Sequence, residues 1–171
     1  MMAVQQAVRD FLENERISYA TLTHQPAFTS QEEAAAAHVP GRDWAKTVVC
    51  FTENEPVLAV LPAPRVINFD KLRALAGAQA VRLASEREMA ELYSDCEVGA
   101  VPPLGPLYKQ RVLVDQRLAR ESEIVFSAGT HTDAIRISYS AFAAINHPVV
   151  GDFSELPKVG ESSEDGRALW V

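Results

Sequence analysis

Cysteine is scarce in this chain of 171 residues, with only Cys50 and Cys96 present. Two thiols so far apart, outside any C-x-x-C pattern, exclude a disulfide framework and a structural zinc site of the usual kind. Cys50 lies in an apolar run and reads as core. Cys96 sits beside Asp95 and Glu97, neighbours that disfavour a thiolate. Apolar runs are also short. None reaches the eighteen or so residues of a membrane span, and the N-terminus lacks the basic region and continuous apolar stretch of a signal peptide. The expected location is therefore the cytoplasm, with no membrane partner. No glycine-rich phosphate loop is present, which argues against nucleotide hydrolysis and hydride transfer. The four histidines lack metal-ligand spacing such as H-E-x-x-H, so neither a metal nor another cofactor is expected. Ser127, Ser138 and Ser140 fall outside any G-x-S-x-G elbow. A formal net charge of -7 excludes a general nucleic-acid coat, which needs many neutralised phosphates.

What is present suits one compact domain. Hydrophobic residues make up 47% of the chain, enough for a core over residues 1–150, followed by an acidic extension at 151–171. Val4, Ala7, Val8, Phe11 and Leu12 recur at helical spacing. Residues 19–22 suit a short strand. Ser30 with Glu33 has capping-box spacing ahead of an alanine run, which His38 follows and Pro40 and Gly41 end. Residues 44–52 and 57–61, separated by Glu53-Asn54-Glu55, read as a hairpin or as two neighbouring core strands, the second ended by Pro62 and Pro64. Asn68 or Asp70 can cap a helix that leaves at Gly77. Residues 81–83 suit a strand, and Ser85 with Glu88 repeats the capping-box spacing. Two glycines and three prolines over residues 96–106 predict a loop. Residues 112–114, 124–126 and 134–137 supply three more strands, and 140–145 a last helix. Residues 161–166 read as a linker, with Leu169, Trp170 and Val171 able to dock back. The expected fold class is α/β or α+β, a single domain with a mixed sheet flanked by short helices.

Several residues can carry chemistry. Lys46 opens an apolar strand; it is either a strand-start lysine whose head reaches solvent or a fixed cation at a pocket rim. His24, ahead of Gln25 and Pro26, is either a packed histidine or a contact for a polar ligand. Gly99-Ala100-Val101-Pro102-Pro103 joins a permissive glycine to restricted backbone, as suits a shaped pocket wall and equally a surface loop. Gly129-Thr130-His131 offers a turn with exposed amides and an imidazole. Asp115 and Asp133 form a pair only by conjecture. Arg42 with Lys46, Arg65, Lys109 with Arg111, and His131 with Arg136 are the basic groups available to grip one end of an RNA.

In order along the chain, Tyr19 with His24-Gln25-Pro26, Ala45-Lys46-Thr47-Val48-Val49, Leu83-Ala84-Ser85-Glu86, the 99–105 loop and Ser127-Ala128-Gly129-Thr130-His131 resemble the YbaK/ProX family of aminoacyl-tRNA deacylases. That family is related to the editing insertion domain of prolyl-tRNA synthetase. The resemblance covers residues 1–150 and implies a curved mixed sheet and hydrolysis, in trans, of the ester of a mischarged tRNA. It places Lys46, Gly129 and His131 in the catalytic set. It places His24, Lys46, Gly99, Ala100, Val101, Pro102, Pro103 and Thr130 around the substrate. Backbone amides would stabilise the charge that develops on the carbonyl oxygen. A hydroxyl of the terminal ribose would help activate water, so that neither a protein base nor a metal is required. The implied partners are the acceptor end of a mischarged tRNA and an aminoacyl-tRNA synthetase, with the protein a monomer or weak homodimer. A small amino acid is the expected cargo, because one methylene gives a synthetase only about 1–3 kcal/mol of discrimination. Two other readings compete: a non-catalytic module that binds aminoacyl-tRNA or a synthetase, favoured if Lys46 is inaccessible, and a hydrolase of small esters.

Overall fold

The computed structural model describes residues 4–158. Helix α1 (Val4–Asn14) buries Val8 and Leu12, the centre of the apolar stripe. Strand β1 (Ala20–Thr23) leads to helix α2 (Ser30–Ala36). The α2 cap sits one residue earlier than the Ser30–Glu33 spacing suggests. Thr29 accepts from the Glu32 amide, and its hydroxyl donates to the Glu32 carboxylate at 2.8 Å. Thr29-x-x-Glu32 satisfies the same pattern, and burial decides between the two registers: Ser30 and Glu33 are 4% and 1% exposed.

Strands β2 (Ala45–Thr52) and β3 (Pro56–Pro62) form the expected antiparallel hairpin, with Ala45 opposite Pro62 and Phe51 opposite Pro56. The Thr52 amide and hydroxyl both donate to Glu55 O, at 2.9 and 3.2 Å, and close the turn. Residues 57–61 are fully buried, as befits a strand covered on both faces, which reads as a continuous rather than alternating apolar run. Beside β3 lies β6 (Arg111–Asp115) in parallel, then β9 (Val149–Gly151), also parallel; β5 (Val81–Leu83) pairs with the far side of β2. The result is a five-stranded mixed sheet of order β5-β2-β3-β6-β9. A second, antiparallel sheet runs β1-β8-β7, where β7 is Glu123–Ser127 and β8 is Asp133–Ser138. One parallel bridge, Trp44 to Val125, joins the start of β2 to β7 and carries the curvature from one sheet to the other.

Short helices flank this assembly. Asn68 caps α3 (Phe69–Ala76), which exits at Gly77 with φ of 67°. Ser85 and Glu88 form the expected capping box at α4 (Glu86–Leu92). Arg82 grips both Glu88 oxygens, at 2.8 and 2.9 Å, and holds that carboxyl down at about 2. The 96–106 loop ends in a single turn, α5 (Gly105–Tyr108). Its Cys96 is half-buried against Tyr108, and burial pushes the thiol up to about 11; Cys50 is fully buried, and its thiol rises to about 12. Ser138 caps α6 (Tyr139–Asn146), and His147 ends it with φ of 46°.

The folded body continues past position 150. Asp115, fully buried at the end of β6, accepts the amides of Phe153 and Ser154 at 3.1 Å each and that of Arg117 at 3.2 Å. Phe153 is thereby seated in the core, and β10 (Ser154–Glu155) pairs with β4 (Val66–Ile67). Arg65 adds bonds to Ser154 Oγ at 2.8 Å and Ser154 O at 3.2 Å. The linker expected at 161–166 and the docking of Leu169, Trp170 and Val171 lie outside the described residues.

Removing the Asp115 carboxylate orphans the buried amides of Phe153 and Ser154 and takes away one of the two carboxylates that Arg117 bonds, the other being Asp152 at 2.8 Å. Asp115→Ala should lower unfolding free energy by about 3–5 kcal/mol, while Asp115→Asn keeps an acceptor oxygen and recovers part of the loss. Urea denaturation midpoints measure both. An unchanged midpoint for the alanine variant would show that the 152–154 segment is held by other means.

Candidate functional site

The 97–103 loop and the 128–133 turn are stitched together through their backbones. Gly129 N donates to Ala100 O, and Glu97 N donates to Gly129 O, each at 2.8 Å. Gly99 and Gly129 adopt φ of 86° and 97°, values that carry a steric penalty for any residue with a Cβ. Here the glycines let two reversing segments lie edge to edge. Ala100, Val101, Pro102 and Pro103 are buried behind them. Asn146 braces the loop from α6, accepting from Gly105 N at 2.9 Å and donating to Pro103 O at 3.0 Å.

His131 locks this wall in place. Its Nδ1 lies 2.9 Å from Glu33 Oε1 and its Nε2 lies 2.6 Å from the Val98 carbonyl. The other Glu33 oxygen accepts from Ser127 Oγ at 3.1 Å, and Glu97 Oε1 accepts from the His131 amide at 3.1 Å. A carbonyl can only accept, so Nε2 carries a proton. With a carboxylate at Nδ1, the imidazolium satisfies both partners. The Glu33 hydrogen bond accordingly raises the His131 pKa, against an opposing effect of burial. Both ring nitrogens are thereby engaged, and His131 ties the 97–103 loop to helix α2.

The remaining expected residues gather around the same wall to different degrees. The His24 amide donates to Thr132 O at 2.9 Å, which brings His24 to the turn. Its ring meets Trp44 edge to face at 5.9 Å; Nδ1 faces Gln25 O at 2.8 Å, and Nε2 is shielded and without a partner among the described residues. Thr130 Oγ1 donates to Asp133 at 2.6 Å and accepts from the Asp133 amide, so it shapes the turn from within. This bond holds the Asp133 carboxyl below its usual range. Among the described residues Asp133 bonds Gln5, Thr130 and Thr132, whereas Asp115 bonds Arg117, Phe153 and Ser154, so the two carboxylates share no hydrogen-bonding partner there.

Lys46 is buried in β2 opposite Leu61, at 2% exposure, rather than reaching into solvent. The parallel bridge Trp44 to Val125 runs in the direction that brings Lys46 to the level of Ser127, the residue bonded to Glu33. Among the described amides, those of Gly129 and His131 are already engaged. The amides of Gly99, Val101 and Thr130 make no hydrogen bond to another described residue. Glu33 escaped detection in the sequence because a glutamate at the head of an alanine-rich helix has the same pattern whether it caps the helix or turns inward.

Arg65 is spent on Ser154, and Arg111 pairs with Glu55 at 3.0 Å. Lys109 and Arg111 share a separate cleft of about 380 Å³ with His147. Among the described residues no three His, Cys, Asp or Glu side chains converge as metal ligands, and no helix is long and apolar enough to cross a membrane.

A family model described as the aminoacyl-tRNA editing domain matches residues 24–145, an interval that contains His24, Glu33, Lys46, the 97–103 loop and the 128–133 turn and stops one residue short of Asn146. Proline–tRNA ligase of Nitratidesulfovibrio vulgaris is 31% identical over 120 residues, covering 70% of this chain and 21% of the ligase. Proline–tRNA ligase of Maridesulfovibrio salexigens is 32% identical over 133 residues, covering 74% of this chain and 22% of the ligase. The chain thus spans about a fifth of the length of these relatives. The crystal structure of a hypothetical protein superposes with a TM-score of 0.78 at 26% identity, covering 86% of this chain and 99% of the other. A chain described as a candidate trans-editing enzyme for prolyl tRNA synthetase superposes with a TM-score of 0.77 over 91% of this chain and 99% of its own; at 22% identity it supports the fold alone.

The His131 clamp has a definite pH signature. Its folded pKa lies above the ordinary value near 6.5, so its stabilisation is fully present below about pH 6.5 and is lost as pH rises through the elevated value. In thermal melts from about pH 5 to about pH 9, the wild type should exceed His131→Gln by about 1–2 kcal/mol at the acid end and converge towards it at the alkaline end. A gap that widens with pH would mean that the folded structure holds fewer protons than the unfolded chain, and would overturn the imidazolium clamp.

Proposed function

Because the chain belongs to the aminoacyl-tRNA editing domain family, we propose that it acts in trans as a hydrolase of aminoacyl-tRNA, cleaving the ester of a tRNA mischarged with a small amino acid. The observation that carries this reading is the stitched wall of the 97–103 loop and the 128–133 turn, which lies wholly within the matched interval. Water adds to the ester carbonyl, the bond to the terminal ribose oxygen breaks, and the proton lost by water ends on that ribose oxygen. The amides of Gly99, Val101 and Thr130, with no hydrogen bond to another described residue, are the donors available to the carbonyl oxygen as it gains charge. Lys46 orients the terminal adenosine or the ester beside them. His24 borders the turn, and residues 99–103 hold the aminoacyl group. The ribose hydroxyl next to the ester assists the attacking water. His131 supplies rigidity, since preorganised donors stabilise charge only where they do not have to move.

A second reading also has an observation behind it. Lys46 is 2% exposed, and inaccessibility at that position favours a module that holds aminoacyl-tRNA or a synthetase without turnover.

One experiment separates the two: amino-acid release from correctly and incorrectly charged tRNAs, comparing the wild type with Lys46→Ala and with Lys46→Met, which preserves the buried stem. Selective release from a small mischarged amino acid, reduced about 100-fold or more in both variants, is the expected result. Release that both folded variants retain would remove Lys46 from the chemistry. No release by folded wild type across the panel, with retained binding of the charged tRNA, would establish the second reading.

A further inference from the structure

Phe28 stands out among the large apolar side chains. It is 73% exposed, although its neighbour Ala27 is only 6% exposed and Thr29, on its other side, caps α2. The backbone beneath the ring is therefore anchored on both sides. Among the described residues its ring meets one other, that of His131, with centroids 6.0 Å apart and planes tilted by 55°. Val98, 41% exposed, joins the same rim, because its carbonyl bonds the opposite edge of His131. A phenyl ring is thus held on the clamp that fixes the 97–103 loop, with most of its surface open to water.

We propose that Phe28 is the stacking platform for the terminal nucleobase of the charged tRNA. This rests on the hydrolase reading above, which brings the acceptor end to that wall. An open ring suits a base better than it suits the amino acid. Selection of a small side chain requires enclosure, since discrimination comes from filling or overfilling a pocket. Stacking requires only one free aromatic face and tolerates any base. The charge balance leads the same way. At a net charge of -7, phosphate contacts contribute less to RNA affinity, and an uncharged contact carries more of it.

Two measurements on the full chain test this. In steady-state release from the best charged tRNA, Phe28→Ala should raise KM by about 5- to 100-fold and leave kcat within about twofold, with Phe28→Leu nearly as poor and Phe28→Trp close to wild type. In fluorescence anisotropy, the wild type should bind an uncharged acceptor-stem RNA ending in adenosine more tightly than the same RNA with an abasic terminal residue, and Phe28→Ala should bind the two alike. An unchanged KM in Phe28→Ala would overturn the proposal. So would a wild type indifferent to the terminal base, or a Phe28→Ala loss equally large on the abasic RNA. If the wild type releases no amino acid from any charged tRNA, the hydrolase reading fails, and the anisotropy comparison still decides for or against base stacking by Phe28.

Discussion

The carboxylate of Glu33 is the constraint around which the candidate site is built. It is 1% exposed, and a charge so placed is tolerated only where it is paired and hydrogen-bonded. His131 and Ser127 supply the partners, and in doing so they tie helix α2 to the end of β7 and to the turn that follows it. The second ring nitrogen of His131 extends the tie to Val98. One buried charge thereby fixes the relative placement of a helix, a strand end and two glycine-containing reversals. The cost of burying it is offset by a geometry in which every partner has a defined place.

Much of the fold was legible in residue pattern. The β2–β3 hairpin, the asparagine cap and left-handed glycine exit of α3, and the Ser85–Glu88 box all appear where local chemistry puts them, because each depends on residues a few positions apart. The α2 cap slipped by one position because two overlapping sequences satisfy the same spacing, and only tertiary burial of Glu33 chooses between them. Strands β9 and β10 were missed for a related reason. They are three and two residues long and are held by Asp115 and Arg65, distant in sequence and silent in any local window. The candidate site divides in the same way. Glycines that permit unusual backbone announce themselves; a glutamate that turns inward does not.

The bonding at the site sets the imidazole of His131 between a carboxylate and a carbonyl, so that both ring nitrogens have partners within the fold. Conversely, amides that carry no chemical label in a sequence become significant once their neighbours' hydrogen bonds are counted. The useful inventory in such a site is of unsatisfied donors as much as of reactive side chains.

The order of strands in the larger sheet has a consequence for how the chain acquires its structure. The hairpin at its centre can form as soon as about twenty consecutive residues are available, since its contacts are local. The parallel edge cannot. Strand β6 must wait for β9, whose first residue, Val149, pairs with Leu113, and Asp115 keeps a buried carboxylate without its amide partners until Phe153 and Ser154 arrive. During synthesis from the N-terminus, the emerging chain therefore passes through an interval with a complete hairpin and an open, apolar β6 edge. In that interval the nascent protein is most exposed to pairing with the wrong strand.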